Sequence, residues 1–308
     1  MTKPTSKAFS DTGSRGFLNL PDHHDYRTSK VIVVPFGLEK SVTFERGTDK
    51  GPDAIIAASH EVELYDMLFR TEPYKQYGVA TLKKFPIAQS HKAALTQLQD
   101  ITTALLKDGK FPVILGGEHS LSGGSIPGAH KAFPKGINVL HFDAHSDLRP
   151  EFEGNKLSHG SAMYLALPYL HRIVQLGIRN TSTEEQPVIR KATAQKKLKL
   201  FTAEDIMRRK KPAFLKETIA FLKDKPVYLT FDIDAFDSSL IGSSTGTPEP
   251  GGLGWYETLD ILCATTKNLN IVGAEFVELL PKQGQHAPDF MVAKLIYWFL
   301  NLRFGSRR

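Results

Sequence analysis

Short aliphatic and β-branched runs recur along this chain, and most are followed by a longer segment whose apolar residues have helical spacing. The short runs predict buried parallel strands over residues 31–36, 113–115, 137–142, 173–176, 227–231 and 271–276. The longer segments predict helices over residues 53–68, 91–106, 158–167, 203–222, 256–266 and 289–300. Because strands and helices alternate, we expect an α/β fold with helices on both faces of a mostly parallel, doubly wound sheet.

The pattern favours a single domain. The sequence has no internal repeat, low-complexity tract or Pro/Gly-rich linker that would divide it. We therefore expect one domain over residues 26–308 after a flexible arm over residues 1–25, in which His23, His24 and Asp25 are interpreted as surface residues. Two glycine-rich segments, 116–128 and 242–254, are expected to be loops at strand ends, where open α/β sheets bind ligands.

Composition argues against several classes of protein. The formal charge is +6, but Lys and Arg are interspersed with Asp and Glu, so we expect no nucleic-acid role. No apolar stretch approaches the roughly 20 residues that span a bilayer, and we expect no membrane role. The single cysteine, Cys263, cannot form an internal disulfide and is expected to be a buried thiol, which suits the cytoplasm.

The strongest chemical signal is in residues 141–147 (HFDAHSD), directly after a predicted strand. If the backbone stays extended, Asp143, His145 and Asp147 point to one side, because side chains alternate along a strand. The two carboxylates would repel each other at such short range, and each resists burial. A divalent cation bound between them and the imidazole removes that conflict. Taken alone, this segment is equally compatible with a metal site and with a strand end that binds nothing.

Two further strands end in residues of the same kind. Residues 228–234 (YLTFDID) place Asp232 and Asp234 after an apolar run, and residues 113–119 (VILGGEH) place Glu118 and His119 after another. Each segment alone is more often a helix cap or turn than a metal site. Together the three strand ends offer more ligands than one ion needs, so we predict a dinuclear centre.

Oxygen-rich sites with some imidazole favour manganese, and we expect two Mn²⁺ ions, with nickel, cobalt or zinc as the alternatives. Such a pair activates water near neutral pH, so hydrolysis is the expected reaction class. The six predicted metal ligands are His119, Asp143, His145, Asp147, Asp232 and Asp234.

Four motifs, in this order along the chain, resemble those of the arginase/agmatinase (ureohydrolase) family. They are GGEHS at 116–120, DAHSD at 143–147, DID at 232–234 and TGTPEPGG at 245–252. The match runs from about Gly51 to the C-terminus. The resemblance implies a three-layer αβα, arginase-like fold, release of urea from a small guanidino substrate, and a homotrimer or homohexamer.

The same resemblance implies how the ligands are shared. Asp143 and Asp232 would bridge the ions, with His119 and Asp147 completing the first set. His145 and Asp234 would complete the second.

Roles for other residues follow from the same family pattern. Glu278 would receive the guanidinium, which a carboxylate can bind through two parallel hydrogen bonds. His159 would pass a proton to the leaving amine, as an imidazole can near neutral pH, and Asp147 would also orient the attacking water. Thr247 and Asn155 are expected to contact the substrate. Alone, His159 would be interpreted as a surface histidine, and Glu278 as a strand-end acid.

Several positions depart from the family pattern. Glu118 and Glu275 stand where Asp is more frequent, Ser238 stands where Pro is common, and the loop from Asp237 to Thr245 is one residue longer. None of these changes touches a predicted metal ligand. They affect the hydrogen bonds around the centre and the shape of the substrate loop.

The loop motif PEPGG at 248–252 resembles agmatinases more than arginases, so agmatine, which would give putrescine and urea, is the leading substrate. Guanidinobutyrate, arginine and other guanidino acids are alternatives, and Lys156 near the pocket would favour an acidic tail. A metal-dependent phosphoesterase and a non-catalytic binding protein on the same fold are alternatives from other classes.

Overall fold

A computed structural model of the chain describes residues 15–21, 25–42, 44–208 and 211–306. At its centre lies one eight-stranded sheet in which every pairing is parallel. In chain order the strands are β1 (Val31–Phe36), β2 (Val79–Thr81), β3 (Phe111–Gly116), β4 (Asn138–Phe142), β5 (Arg172–Ile178), β6 (Leu198–Thr202), β7 (Val227–Asp232) and β8 (Ile271–Val277). Across the sheet they lie in the order β2-β1-β3-β8-β7-β4-β5-β6.

Helices cover both faces of this sheet. They are α1 (Gly51–Ser59), α2 (Tyr74–Tyr77), α3 (His91–Lys107), α4 (Ser122–Ala132), α5 (Ala162–Ala166), α6 (Gln186–Ala194), α7 (Ala203–Arg208), α8 (Lys211–Leu222), α9 (Ser238–Ile241), α10 (Trp255–Asn268) and α11 (Ala287–Phe304). Along β1, Val31 and Val33 join one buried cluster while Ile32 and Val34 join another, as alternation requires. The first cluster packs against α1, α8, α10 and α11, and α3 to α6 cover the other face. The predicted three-layer αβα fold is confirmed.

All six predicted strands are present, and two further strands escaped prediction. β2 has only three residues, and β6 (LKLFT) has three of its five side chains only half-buried, so neither gives a continuous apolar signal. The predicted helix over 53–68 ends at Ser59, and its predicted C-terminal part is instead a turn at Asp66, whose side chain accepts the backbone N–H groups of Leu68 and Phe69. Within the predicted helix over 203–222, Ala203–Arg208 and Lys211–Leu222 are helical, and residues 209–210 lie outside the described residues.

The glycine-rich segment 116–128 is largely helical, so the prediction of a loop is wrong there. A β-carbon on Gly124 would lie 2.5 Å from the carbonyl oxygen of Leu95, and one on Gly128 would lie 2.6 Å from that of Gln99. These glycines let α4 approach the backbone of α3 closely. The second glycine-rich segment, 242–254, does form a loop at the ends of the strands.

The structure also bears on the predictions for Cys263, for membrane-spanning segments and for the N-terminal arm. Cys263 is exposed on α10 while its neighbours Ile261 and Leu262 face the core, so the prediction of a buried thiol is wrong. None of the helices in the described ranges combines the length and apolar character of a membrane-spanning segment. Of the predicted arm, residues 1–14 and 22–24, which include His23 and His24, lie outside the described residues, and Phe17 and Leu18 are buried.

Candidate metal centre and active site

The carboxyl ends of four adjacent strands, β3, β8, β7 and β4, meet at one edge of the sheet. Phe142 of β4 pairs with Phe231 of β7, so Asp143 and Asp232 leave their strands at the same level. β3 lies beyond β8 and leads directly into the segment that carries His119. The order of the strands therefore gathers residues that are more than 100 positions apart in the sequence.

In three of the aspartates, one carboxylate oxygen accepts a hydrogen bond from a backbone N–H group, and the other oxygen faces the centre of the cluster. Asp143 Oδ1 accepts from the N–H of His145 at 2.6 Å, and Asp232 Oδ1 accepts from the N–H of Asp234 at 2.8 Å. Asp234 Oδ1 accepts from the N–H of Ala144 at 2.9 Å. The backbone thus orients each carboxylate before any ligand binds.

His119 lies at the middle of the first group. Its Nδ1 is 3.0 Å from Asp143 Oδ2 and 3.2 Å from both Asp147 Oδ2 and Asp232 Oδ2. This nitrogen is buried and makes no hydrogen bond within the described part of the chain. The Nε2 atom lies 2.9 Å from Thr230 Oγ1, which fixes the ring. A buried nitrogen that faces three carboxylate oxygens fits a divalent cation between them.

The second group surrounds His145. Its Nδ1 lies 3.0 Å from Asp234 Oδ2 and 3.5 Å from Asp143 Oδ1. Asp143 therefore belongs to both groups. All six predicted ligands lie close together in two groups that share a carboxylate, which is compatible with a dinuclear metal site.

The pKa values show how strongly this cluster attracts positive charge. Burial raises the pKa of Asp232 well above its usual value, and the charges of Asp234 and Asp143 raise it further. Burial alone would lower the pKa of the two histidines, but the surrounding carboxylates raise that of His145 to about 12 and that of His119 well above its usual value. The folded chain is thus built to hold cations here, whether protons or metal ions.

His141 and Gln175 support the cluster and were not predicted from the sequence. His141 Nε2 lies 2.8 Å from Asp143 Oδ2, and its Nδ1 lies 3.0 Å from the side-chain amide nitrogen of Gln175. Gln175 also donates to the carbonyl of Ser146 at 2.7 Å. Only the apolar context of β4 and β5 is visible in the sequence, and nothing in it indicates that these two polar side chains meet.

Asp147 and Glu278 occupy the left-handed backbone region, with φ of 52° and 63° respectively. This region is uncommon for non-glycine residues. Glu278 follows β8, and its Oε1 accepts from the backbone N–H of His119 at 2.6 Å. Burial raises the pKa of Glu278 to about 8, with a further contribution from the nearby carboxylate of Glu118.

A cavity opens over this edge of the sheet and joins the predicted residues. Five of the six predicted metal ligands line it, as do Glu278, His159 and Thr247. Asn155 and Lys156 are not among the described residues that line the cavity. The side chain of Asn155 instead accepts the backbone N–H of Leu157, and Lys156 is exposed.

Glu249 also lines the cavity, on the loop that follows β7. Its Oε1 accepts from the side-chain amide of Asn180 at 2.5 Å and lies 3.9 Å from His145 Nε2. The loop backbone is fixed by Arg179, whose guanidinium donates to the carbonyl oxygens of Gly177, Asp234, Phe236, Glu249 and Pro250. The carboxylate at 249 is therefore held in place at the cavity wall.

Two other charged groups of the cavity wall, Arg149 and Glu45, have partners of opposite charge. Arg149 lies over the ring of Phe152 at 4.2 Å, donates to Ser182 Oγ at 3.2 Å, and is 4.0 Å from Glu185 Oε2. Glu45 forms an ion pair with Lys282. Neither Glu45 nor Glu249 was among the predicted site residues, because each becomes part of the site only through folding.

The two glutamates that depart from the family pattern are both buried and hydrogen-bonded. Glu275 accepts from the hydroxyls of Ser122, Ser125 and Tyr228 within the core. Glu118 accepts from backbone and hydroxyl groups of residues 40, 41 and 120. Both glutamates therefore connect neighbouring segments of the chain through hydrogen bonds and do not line the cavity.

Comparison with known proteins agrees with this geometry. A family model described as the arginase family matches residues 29–301. The chain is 32% identical over 304 residues to an N(1)-aminopropylagmatine ureohydrolase of Synechocystis sp., covering 96% of each chain. It is 30% identical over 281 residues to an agmatinase of Bacillus anthracis, covering 88% of this chain and 90% of that one.

Solved structures agree with these sequence matches. The agmatine ureohydrolase of Thermoplasma volcanium superposes with a TM-score of 0.81 at 25% identity, and the match covers 94% of each chain. Both the sheet and the helices around the cavity are therefore shared with a known enzyme fold.

Proposed function

This chain belongs to the arginase family, and we propose that it hydrolyses a small guanidino compound to urea and an amine. One observation carries the proposal: five predicted metal ligands, the carboxyl group of Glu278 and the imidazole of His159 line one cavity. Reactions of this kind need those three elements around a single carbon atom.

We assign one divalent ion to His119, Asp143, Asp147 and Asp232, and a second to Asp143, His145, Asp232 and Asp234. The donor set of carboxylate oxygens with one imidazole for each ion favours manganese, with nickel, cobalt and zinc as alternatives. When bound, such a pair of ions supplies the activation of water for attack on the guanidinium carbon.

Glu278 and His159 act on the substrate itself in this proposal. Since backbone contacts hold Glu278 firmly, its carboxylate can accept two hydrogen bonds from a planar guanidinium without rearranging. His159 donates a proton to the nitrogen that leaves, which must become an amine as its bond to carbon breaks. Asp147 orients the attacking water, and Thr247 contributes to the cavity wall beside the substrate.

Agmatine is the leading substrate because the cavity wall favours a cationic tail. Glu249 carries a fixed negative charge there, and its contacts are an amide and a histidine rather than a lysine or arginine. The positive charge of Arg149 is engaged by Phe152 and Glu185, which disfavours it as a receptor for the carboxylate of a guanidino acid.

A longer amine is the second candidate. The relative from Synechocystis named above, whose match covers nearly the whole chain, is named for N(1)-aminopropylagmatine, which carries a second amine on its tail. Glu249, on the wall of the cavity, could receive an amine of this longer tail as well. Comparison of kcat/KM for the two substrates on one enzyme preparation decides between them.

The deciding experiment is a urea-release assay on manganese-loaded protein with agmatine, N(1)-aminopropylagmatine, guanidinobutyrate, arginine and a phosphate ester. We expect urea from the first two compounds, and metal analysis of the same sample should give two ions per chain. Urea from guanidinobutyrate or arginine alone would overturn the substrate assignment. Phosphate release without urea, or no turnover at all, would overturn the reaction class.

A charge-neutral variant tests the tail contact separately. Glu249→Gln should raise KM for agmatine about tenfold, the loss of roughly one charge-assisted contact, and leave KM for butylguanidine unchanged. Glu45→Gln is the matched control, since Lys282 already offsets that charge. An equal rise in KM for the charged and the uncharged tail would show that Glu249 only maintains the loop.

We also propose that the protein works in the cytoplasm as a homotrimer or homohexamer. The oligomeric state is measured directly by light scattering on the metal-loaded protein. A monomer at micromolar concentration would contradict it.

A further inference from the structure

A line of polar contacts that does not include the metal ligands runs from Glu118 through Ser41 to His159. Glu118 is fully buried. Ser41 Oγ lies 2.8 Å from Glu118 Oε1, and the backbone N–H of Ser41 donates to Glu118 Oε2 at 2.6 Å. On its other side, Ser41 Oγ accepts from the backbone N–H of His159 at 3.0 Å and lies 3.5 Å from the ring Nδ1.

The direction of these hydrogen bonds follows from the donors that each group has. A hydroxyl has one proton, and the Glu118 carboxylate beside it can only accept, so Ser41 Oγ donates to Glu118. The lone pairs of Ser41 Oγ then face His159. An imidazole nitrogen that faces an acceptor is favoured to carry a proton, and this geometry favours the tautomer of His159 with its proton on Nδ1.

The ring of His159 is also held from a second side. Phe152 packs edge-on against it, with ring centroids 5.6 Å apart and planes at 85°. With its backbone, its Nδ1 and one ring face restrained, His159 has little freedom to rotate away from the cavity that it lines.

We propose that Ser41 and Glu118 are positioning residues that keep a proton on Nδ1 of His159 and leave Nε2 as the nitrogen that exchanges protons during the reaction. This rests on the proposed function. In the step itself, the Nε2–H bond breaks as an N–H bond forms on the leaving nitrogen, and the ring becomes neutral with Nδ1 still protonated. The proton comes from the attacking water, so no further reactant is needed.

Only the hydroxyl of Ser41 performs this task, which makes the proposal testable. The backbone N–H of residue 41 bonds to Glu118 whatever the side chain is, so Ser41→Ala retains the loop anchor and removes the link to His159. Ser120→Ala is the matched control, because Ser120 Oγ also donates to Glu118 Oε1, at 2.5 Å, and no contact joins it to His159 among the described residues.

The kinetic experiment measures kcat and KM for agmatine in both variants. Because general acid catalysis contributes about 10²–10⁴-fold, we expect Ser41→Ala to lower kcat roughly ten- to a hundredfold, with KM and metal content unchanged. Ser41→Thr keeps the hydroxyl and should restore most of the loss. Ser120→Ala should keep kcat within about threefold of the original protein. Equal losses in Ser41→Ala and Ser120→Ala, or no loss in Ser41→Ala, would overturn the proposal.

A double-mutant cycle separates positioning from general damage. If Ser41 acts through His159, Ser41→Ala should cost nothing further in a His159→Ala background. Full additivity of the two losses would overturn the proposal while leaving the ureohydrolase activity intact.

The tautomer can be read without turnover. The ¹⁵N chemical shifts of the His159 imidazole, in zinc-loaded protein, should show a proton on Nδ1 in the original protein and in Ser120→Ala. In Ser41→Ala that preference should be lost. A proton on Nε2 in the original protein would overturn the inference even if the enzyme releases urea, and absence of urea release would leave this measurement still decisive.

Discussion

At the scale of single residues, the site contains two backbone conformations that cost energy. Asp147 and Glu278 both have positive φ, which costs on the order of 1–3 kcal/mol for each non-glycine residue. The neighbours enforce them: the carbonyl of Asp147 accepts the N–H groups of Met163 and Tyr164, and the N–H of Glu278 donates to Gly117. These hydrogen bonds thus hold the backbone of the two acidic residues in the strained conformation, at defined positions above the strand ends.

Glu278 should make the metal-free protein less stable at high pH. Its pKa is about 8 in the folded chain against 4.5 ordinarily, chiefly because it is buried. Between these values the folded state binds more protons than the unfolded state, so stability falls as pH rises through that window. In chelator, Glu278→Gln should therefore be more stable than the original protein at pH 9, by on the order of 3 kcal/mol.

The low-pH limit supplies the control for this variant. Below about pH 4.5 the carboxyl is protonated in both states and resembles the amide, so the two proteins should unfold at the same denaturant concentration. With metal bound, Glu278→Gln should lose most of its turnover. Equal stability of the two proteins at pH 9 would show that the carboxylate is not buried at a cost.

Residue types and spacing sufficed to predict six candidate metal ligands that the folded chain brings close together, because acids and histidines that recur at three strand ends are, in combination, typical of metal sites. Ser41, His141 and Glu249 could not be predicted in the same way. Ser41 lies in none of the motifs, and the motifs that contain His141 and Glu249 do not show which residues these two contact. Ser41, for example, contacts His159, which is 118 positions away. Such pairings exist only after folding.

At the scale of elements, the principal mistake concerned glycine. Glycine usually marks turns, but in α4 it marks the closest approach of two helices. A helix rich in glycine lacks the apolar spacing that identifies helices in a sequence, so its helical state depends on tertiary packing. Six of the eight strands and the helices α3, α10 and α11, by contrast, were predicted to within a few residues.

A pair of adjacent substitutions tests this packing. Gly124→Ala places a β-carbon 2.5 Å from the backbone oxygen of Leu95, which cannot move freely, and should destabilise the protein by about 2 kcal/mol. Gly123→Ala is the control on the same helix, because its β-carbon meets only the flexible ends of Leu165 and Leu95. It should be neutral or slightly stabilising. Chemical denaturation measures both, and equal effects would contradict the packing argument.

At the scale of the whole molecule, alternation of strands and helices indicated a parallel sheet but not its order. The final strand, β8, lies between β3 and β7 in the middle of the sheet, and no local pattern reveals such an insertion. Yet this order brings the four strand ends of the site together. The fold class was therefore predictable, and acids and histidines at three strand ends predicted that these residues converge, whereas the order of the strands that brings them together was not predictable.

Metal ions should stabilise the whole molecule through the repulsion they relieve. Mn²⁺ at about 100 times its dissociation constant should add roughly 2.7 kcal/mol to the free energy of unfolding, and chelation should remove it. Asp232→Asn should abolish both the stabilisation by metal and turnover. Without metal, the variant should be more stable than the original protein near neutral pH, because burial and the charges of Asp234 and Asp143 raise the pKa of Asp232. Calorimetry with and without metal measures each change, and a full thermal response in the variant would argue against a shared ligand at this position.

Arg179 has a consequence for how such an enzyme can diversify. Among the described residues, its guanidinium holds the loop after β7 through main-chain oxygens, so these hydrogen bonds do not depend on which side chains the loop carries. Under the proposed function, a substitution at position 249 can therefore alter which substrate tails are accepted while the backbone of the loop stays in place. The loop beside the substrate tail can therefore change in sequence without a change of fold, while the residues at the strand ends remain the same.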